Sequence, residues 1–234
     1  MKNPILIYIN VSVMGCVNEV LKELISNIKE SGIIEHCHSI NFIVNGDKDL
    51  LVIEEIPKSN ITYTGKDVSM CEFLTLDKIW KDSKGVEGND DPIILYLHTK
   101  GVSRTSDNIK DWTRLLTYFN LIKWKDRVNE LEEYDSTGIN LLGNSEDFYS
   151  APSYWGYTKF PLHYSGNFWW SKTSHISKLI NPIEFAPNDN FFKWRIMCEM
   201  WICSYPKGKY NNAYNSKVDH YHTPYPKEVY ITEK

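Results

Sequence analysis

The sequence predicts an α/β domain built on a mostly parallel sheet, and three observations carry that expectation. Pro92 to Leu97 is almost wholly apolar, the pattern of a strand buried on both faces. Strand-like and helical segments alternate through the N-terminal half, the order that parallel strands with crossover helices produce. The chain has 234 residues, enough for one substantial core, and shows no linker, internal repeat or low-complexity tract, so a single domain is expected.

Taken in order, Pro4 to Val11 is a β-rich run and the expected first strand. Val17 to Ser31 places Val17, Val20, Leu21, Leu24, Ile25 and Ile28 at helical spacing, with Gly32 as the stop. Ser39 to Val44 reads as the second strand and ends in Asn45-Gly46-Asp47. Leu50 to Ile56 and Asn60 to Thr64 read as short strands, Met70 to Lys81 as a helix, and Asp82 to Asp91 as a polar loop before the Pro92 strand. Val102 to Asn108 is polar and expected to be mobile. Ile109 to Glu133 reads as one long helix with Trp112, Leu115, Leu116, Phe119 and Ile122 on its apolar face. Gly138 to Leu142 and a run from Leu162 to Trp170, broken at Gly166, are further strand candidates. Pro152 to Pro161 is an aromatic loop, Lys172 to Leu179 and Asn190 to Ile202 are helical, and the rest is loop-rich and rich in tyrosine.

Composition narrows the function classes. Hydrophobic residues at 42% and charged residues at 24% exclude a disordered chain. A formal net charge of −4 gives no electrostatic footprint for nucleic acid, so no nucleic-acid partner is expected and any anionic ligand must be met by a local cluster. Aromatic residues reach 14%, with 15 Tyr and 8 Trp, which favours ligands with stacking faces such as bases and sugars. The cysteines Cys16, Cys37, Cys71, Cys198 and Cys203 are scattered and odd in number, which argues against a disulfide framework or a zinc site. No run approaches the ~18 apolar residues of a membrane span. Met1-Lys2-Asn3 leads into a strand-like run rather than a leader, so no transmembrane segment and a cytoplasmic location are expected.

The chemistry-bearing residues gather at strand ends. In open α/β sheets ligands bind outside the carboxyl ends of the strands, where His98-Thr99-Lys100-Gly101 closes the Pro92 run. Lys100 and the Thr99 hydroxyl suit a diphosphate, and Gly101 permits close backbone approach; a packing role for His98 and a solvated Lys100 is the competing reading. Asn45 and Asp47 follow the second strand, where a carboxylate meets ribose or a base, although Asn-Gly-Asp is also an ordinary turn signal. There is no glycine-rich dinucleotide fingerprint after the first strand and no P-loop. Ser165-Gly166-Asn167-Phe168-Trp169-Trp170 joins a flexible corner and an amide to large rings, a set that suits a sugar pocket or a core. Arg195 and Glu199 share a helical face: they either pair with each other or line a pocket, where Glu199 becomes a candidate general base with Asp189 as the competing carboxylate. His220 and His222 are phosphate- or metal-ligand candidates near the C-terminus.

In their order, His-Thr-Lys-Gly, Ser-Gly-Asn-Phe-Trp-Trp and Arg-x-x-x-Glu-x-Trp resemble small glycosyltransferases of polysaccharide biosynthesis, distantly akin to the rhamnan-synthesis type. The similarity spans roughly Pro4 to Ile202. It implies a GT-A fold, a Rossmann-like sheet with a nucleotide-sugar-binding half at 1–101 and an acceptor-binding half at 102–234. It implies that Val11, Ser12 and Asp47 meet the nucleoside, with Asn45 beside them. His98, Thr99, Lys100 and Gly101, together with Ser165, Gly166, Asn167, Arg195, His220 and His222, would bind the nucleotide sugar, with Lys100 neutralising the diphosphate beside His220 or His222. Trp169, Trp170 and Trp201 would face the acceptor. The implied reaction transfers sugar from a nucleoside-diphosphate sugar to a hydroxyl of a glycan or glycoconjugate acceptor, with inversion and Glu199 or Asp189 as base. Enzymes of this fold often carry Asp-x-Asp where this chain has His98-Thr99-Lys100. Mn²⁺ or Mg²⁺ favours carboxylates, so strict dependence on either ion is not expected. The alternative function is a non-catalytic nucleotide-sugar- or glycan-binding module.

Overall fold

The computed structural model describes residues 3–86, 90–104, 106–143, 161–185 and 191–231, with the backbone alone for 191–194. Four parallel strands form one half of the sheet: β1 (Ile5–Val13), β2 (Cys37–Gly46), β3 (Ser59–Gly65) and β4 (Ile93–His98). Helix α1 (Val17–Glu30) connects β1 to β2, and α2 (Phe73–Lys84) leads from β3 to β4. Because β2 lies on one side of β1 and β4 on the other, the chain reverses its direction of winding between β1 and β4.

The second half extends the same sheet. Helices α3 (Asp107–Thr117) and α4 (Trp124–Glu130) precede β5 (Ser136–Gly138), and β6 (Leu141–Leu142) pairs with β7 (His163–Tyr164) in a small separate ribbon. Strand β8 (Trp169–Lys172) then inserts between β4 and β5, antiparallel to both. Short helices α5 (Thr173–Ile176) and α6 (Pro182–Phe185) lead towards α7 (Phe191–Trp201), and β9 (Tyr210–Asn212) closes the far edge parallel to β5. The order is β3-β2-β1-β4-β8-β5-β9, and β8 alone runs against the other six strands described. The expected class, a single α/β domain with a mostly parallel sheet flanked by helices, is what the chain adopts.

Both faces of the sheet are covered, which is why its strands read as continuous apolar runs. Ile5, Ile7, Ile9 and Val11 of β1 pack under α1 and α3, while Tyr8 and, on β4, Ile94 and Tyr96 pack under α2 and α7. The alternation of β8 sends Trp170 to the first face and Trp169 to the second, so neither ring reaches solvent. Among the described residues, no helix is long and apolar enough to cross a membrane.

Three expected elements differ. Leu50 to Ile56 is not a strand: β3 takes the place beside β2, and Leu50 and Val52 stay exposed. The side chain of Asn18 instead pins the segment, donating to the Leu50 carbonyl at 3.1 Å and accepting from the Val52 amide at 2.9 Å. The helix expected over Ile109 to Glu133 is interrupted by a wide π turn at Tyr118–Ile122, where the Lys123 amide reaches back to the Tyr118 carbonyl. The Asn120 carbonyl in that turn accepts the indole N–H of Trp170 at 2.7 Å. The strand expected at Gly138 to Leu142 divides at Asn140, whose φ of +50° ends β5 and starts β6. The aromatic loop Pro152 to Pro161 lies outside the described residues up to its last residue.

Candidate functional site

A cavity of about 550 Å³ opens outside the carboxyl ends of β1 and β4, at the point where the winding reverses. That is where an open α/β sheet leaves a crevice between crossovers leaving in opposite directions. Asn10 and Ser12 come from β1, and His98, Thr99, Lys100 and Gly101 from the end of β4. Three cationic side chains, Lys100, Arg104 and Arg195, line it together with three carboxylates, Asp67, Glu72 and Glu199. Arg195 and Glu199, one turn apart on α7, both face this cavity, as their spacing requires.

Lys100 is half-buried, with its Nζ 3.6 Å from the ring centre of Trp112. Burial pushes its ammonium below the ordinary lysine value, against the pull of Glu199 and Glu72. The same indole stacks on His220 at 5.4 Å. His220 is buried, bonded through Nε2 to Ser216 Oγ at 2.7 Å, and does not line the cavity. Burial, with the Lys100 charge second, pushes its imidazole down to about 4. It supports Trp112 rather than meeting a ligand. Arg104 lies over the ring of Tyr221 at 5.2 Å, and Tyr221 forms a half-exposed wall of the cavity.

Behind Glu199 and His98, outside the cavity lining, lies the turn at Gly166 and Asn167. Gly166 has φ +92°, and a Cβ there would stand 2.7 Å from Leu116 Cδ1, so glycine is required on both counts. Its amide donates to Glu199 Oε2 at 3.3 Å, and its carbonyl accepts from His98 Nε2 at 2.9 Å. Since a carbonyl only accepts, the His98 proton sits on Nε2. Burial lowers the His98 imidazole, with Glu72 opposing. Asn167 is fully buried at φ +55°; its Nδ2 donates to Glu72 Oε2 at 2.6 Å and its Oδ1 accepts from Trp169 Nε1 at 3.0 Å. Thr99 uses its hydroxyl to accept the Ser12 amide at 3.2 Å, fastening the end of β1 to that of β4.

Several expected site residues lie elsewhere. Trp169, Trp170 and Trp201 have no exposed surface, and their indole N–H groups are held by Asn167, the Asn120 carbonyl and the Ile180 carbonyl. The expectation that they face an acceptor is therefore corrected: both faces of β8 are covered by helices, and all three rings are core. Asp47 caps a 3₁₀ turn by accepting the Asp49 amide and pairs with Lys66; it is an ordinary turn residue outside the cavity lining. Asn45 is buried behind the cavity and donates to the Cys71 carbonyl at 3.0 Å, which steadies the corner carrying Glu72. Val11 points into the core. His222 is exposed, paired with Asp219 at 2.7 Å, and also lies outside the lining. Ser165 donates its amide to the Asn140 carbonyl next to the Gly166 turn. Asp189 lies outside the described residues.

The donor set does not fit a hard divalent cation. The end of β4 offers an imidazole, a hydroxyl and an ammonium, and each of the three cavity carboxylates, Asp67, Glu72 and Glu199, already accepts a hydrogen bond. Among the described residues no three His, Cys, Asp or Glu side chains are grouped to hold a metal ion. Two cavity residues that matter escaped the sequence reading. Glu72 precedes α2 without any motif around it. Arg104 lies in a segment expected to be mobile, where the structure has a turn closed by the Arg104 amide on the Gly101 carbonyl and anchored by the Cys16 amide on the Val102 carbonyl.

No curated protein matches the sequence. Among solved structures, a 4-diphosphocytidyl-2C-methyl-D-erythritol synthase from Anaerococcus prevotii DSM 20548 aligns at 10% identity over 92% of this chain and 90% of its own, with a TM-score of 0.45. HddC from Yersinia pseudotuberculosis aligns at 10% identity over 90% of each chain, with a TM-score of 0.44. Likeness at that level concerns the course of the chain and carries no chemistry. A family model described as "Domain of unknown function (DUF8361)" matches residues 12–215, from the end of β1 through β9 and across most of the cavity wall, and the chain belongs to that family.

Proposed function

We propose that the chain is a glycosyltransferase that moves a sugar from a nucleoside-diphosphate sugar to a hydroxyl of a glycan acceptor, with inversion. The observation that carries this reading is the convergence of Lys100, Arg104 and Arg195 with Glu199 on one cavity at the winding reversal. A diphosphate needs concentrated positive charge that a chain of net charge −4 offers only locally, and these three side chains supply it. Lys100 and the two arginines stabilise the charge that develops on the leaving diphosphate, so the reading places no step on a metal ion. Glu199 takes the proton from the acceptor hydroxyl as that oxygen bonds to the anomeric carbon. The bond from that carbon to the phosphate oxygen breaks, and its electron pair leaves with the nucleoside diphosphate. Tyr221, half-exposed, is the aromatic surface open to a ring of the donor or acceptor.

Slow hydrolysis tests this without knowledge of the acceptor, since water can replace the hydroxyl. Nucleoside diphosphate release should be measured across a panel of nucleotide sugars, with the anomeric configuration of the released sugar followed by NMR. The expected outcome is inverted sugar from at least one donor, and a loss of about 100-fold or more in Glu199→Gln. Retained configuration would contradict the single-displacement mechanism. Tight binding without turnover would instead favour a non-catalytic nucleotide-sugar-binding module.

A further inference from the structure

We infer that Glu72 is a positioning residue that acts through Asn167 to hold Glu199 in the cavity. The inference rests on the proposed role of Glu199 as base, but its geometry stands independently of the reaction. Glu72 Oε2 accepts two hydrogen bonds of 2.6 Å, one from Tyr96 Oη and one from Asn167 Nδ2. Tyr96 lies in the centre of the buried strand β4 with no exposed surface, so one donor is fixed by the sheet itself. The other donor belongs to a residue in a left-handed backbone conformation that a side chain rarely adopts without support.

That support is the chain of bonds from the sheet to the turn. Asn167 is held at one end by Glu72 and at the other by the Trp169 indole, and it is fully buried. With Asn167 fixed, the preceding residue Gly166 is fixed as well. The amide of Gly166 then points at Glu199 Oε2 and its carbonyl at His98 Nε2. Glu72, Asn167, Gly166, Glu199 and His98 thus form one connected set, ordered by a carboxylate that two donors already occupy on one oxygen. A charged acceptor makes these bonds about twice as strong as neutral ones, which explains a glutamate rather than a glutamine at this corner. Without Glu72, the buried Asn167 amide would keep only its long 3.4 Å bond to the Cys198 carbonyl, and the left-handed turn would lose its short clamp.

The test reads the turn directly. The chain has 12 glycines, few enough for the Gly166 amide to be assigned by glycine labelling. In the unaltered protein the Gly166 amide should resonate downfield, as an N–H donating to a carboxylate does, and Glu199→Gln should move it upfield. In Glu72→Ala, and in Asn167→Gly (which keeps the left-handed backbone and removes the clamp), the displacement caused by adding Glu199→Gln should fall to half or less. Glu72→Gln should restore most of it, because a glutamine carbonyl still accepts from both donors. Should Glu72→Ala fail to fold, Asn167→Gly carries the same test. A Gly166 amide that Glu199→Gln does not move in the otherwise unaltered protein, or that it moves by the full amount in the Asn167→Gly background, overturns the inference. None of these outcomes depends on which reaction the chain performs. If it performs sugar transfer, Glu72→Ala should lower kcat by about 100-fold while leaving donor KM nearly unchanged, the signature of a misplaced base rather than a lost ligand contact.

Discussion

At the residue scale, the motif His98-Thr99-Lys100-Gly101 divides its work. Lys100 alone turns a charge towards the cavity, Thr99 ties β1 to β4, and His98 braces the Gly166 turn. His220 illustrates what sequence could not disclose. An imidazole near the C-terminus reads equally as ligand or packing residue, and only the fold lays it against Trp112. Its burial has a thermodynamic consequence. The unfolded imidazole titrates near the ordinary value of 6.5, whereas the folded one stays neutral down to about 4. Between those values the unfolded chain binds more protons, so stability is full above about pH 6.5 and falls as pH drops towards 4. The loss from this group is on the order of 3 kcal/mol, and His98 and His175, lowered by burial as well, act in the same direction. Urea midpoints at about pH 7.5 and about pH 5 should therefore differ more in the unaltered protein than in His220→Gln. Equal differences would show that this imidazole is not held neutral by the fold.

At the scale of elements, the parallel strands and their helices were legible because their apolar periodicity is dictated by the layers that cover them. The Pro92 strand and α1 fall within one or two residues of expectation. Two kinds of feature escaped. The segment Leu50 to Ile56 has strand-like residues, yet pairing is decided by competition for the β2 edge, which β3 occupies. The tryptophans of β8 look like a ligand platform in isolation, and only the insertion of β8 between β4 and β5 makes them core. The π turn at Tyr118–Ile122 couples these facts, because its Asn120 carbonyl serves the Trp170 indole. Trp170→Phe should accordingly cost about 1–3 kcal/mol for the buried carbonyl left without a donor, besides the lost ring volume. Chemical denaturation measures it, and a change within about 0.5 kcal/mol, the range of surface substitutions, would contradict this coupling.

At the scale of the whole molecule, the sheet order creates a crevice between β1 and β4, and the two halves of the chain both line it, Glu72 and Lys100 from the first. From the second, Arg195 and Glu199 come from α7 and Tyr221 from the segment after β9, while the turn at Gly166 and Asn167 braces Glu199 from behind the lining. The sequence pointed to the strand end at Lys100 and to the Arg195–Glu199 face because each is local. It did not point to Glu72, whose importance lies wholly in contacts 24 and 95 residues away. The central claim is that this crevice holds a nucleoside diphosphate on Lys100 and its neighbouring arginines. A thermal-shift titration with nucleoside diphosphates and nucleotide sugars, run on the unaltered protein and on Lys100→Met, tests it most directly. The account predicts that at least one ligand raises the melting temperature by mass action, and that Lys100→Met weakens its apparent affinity by about 10- to 100-fold. A panel in which no ligand shifts the unaltered protein, or in which Lys100→Met binds equally well, would contradict it.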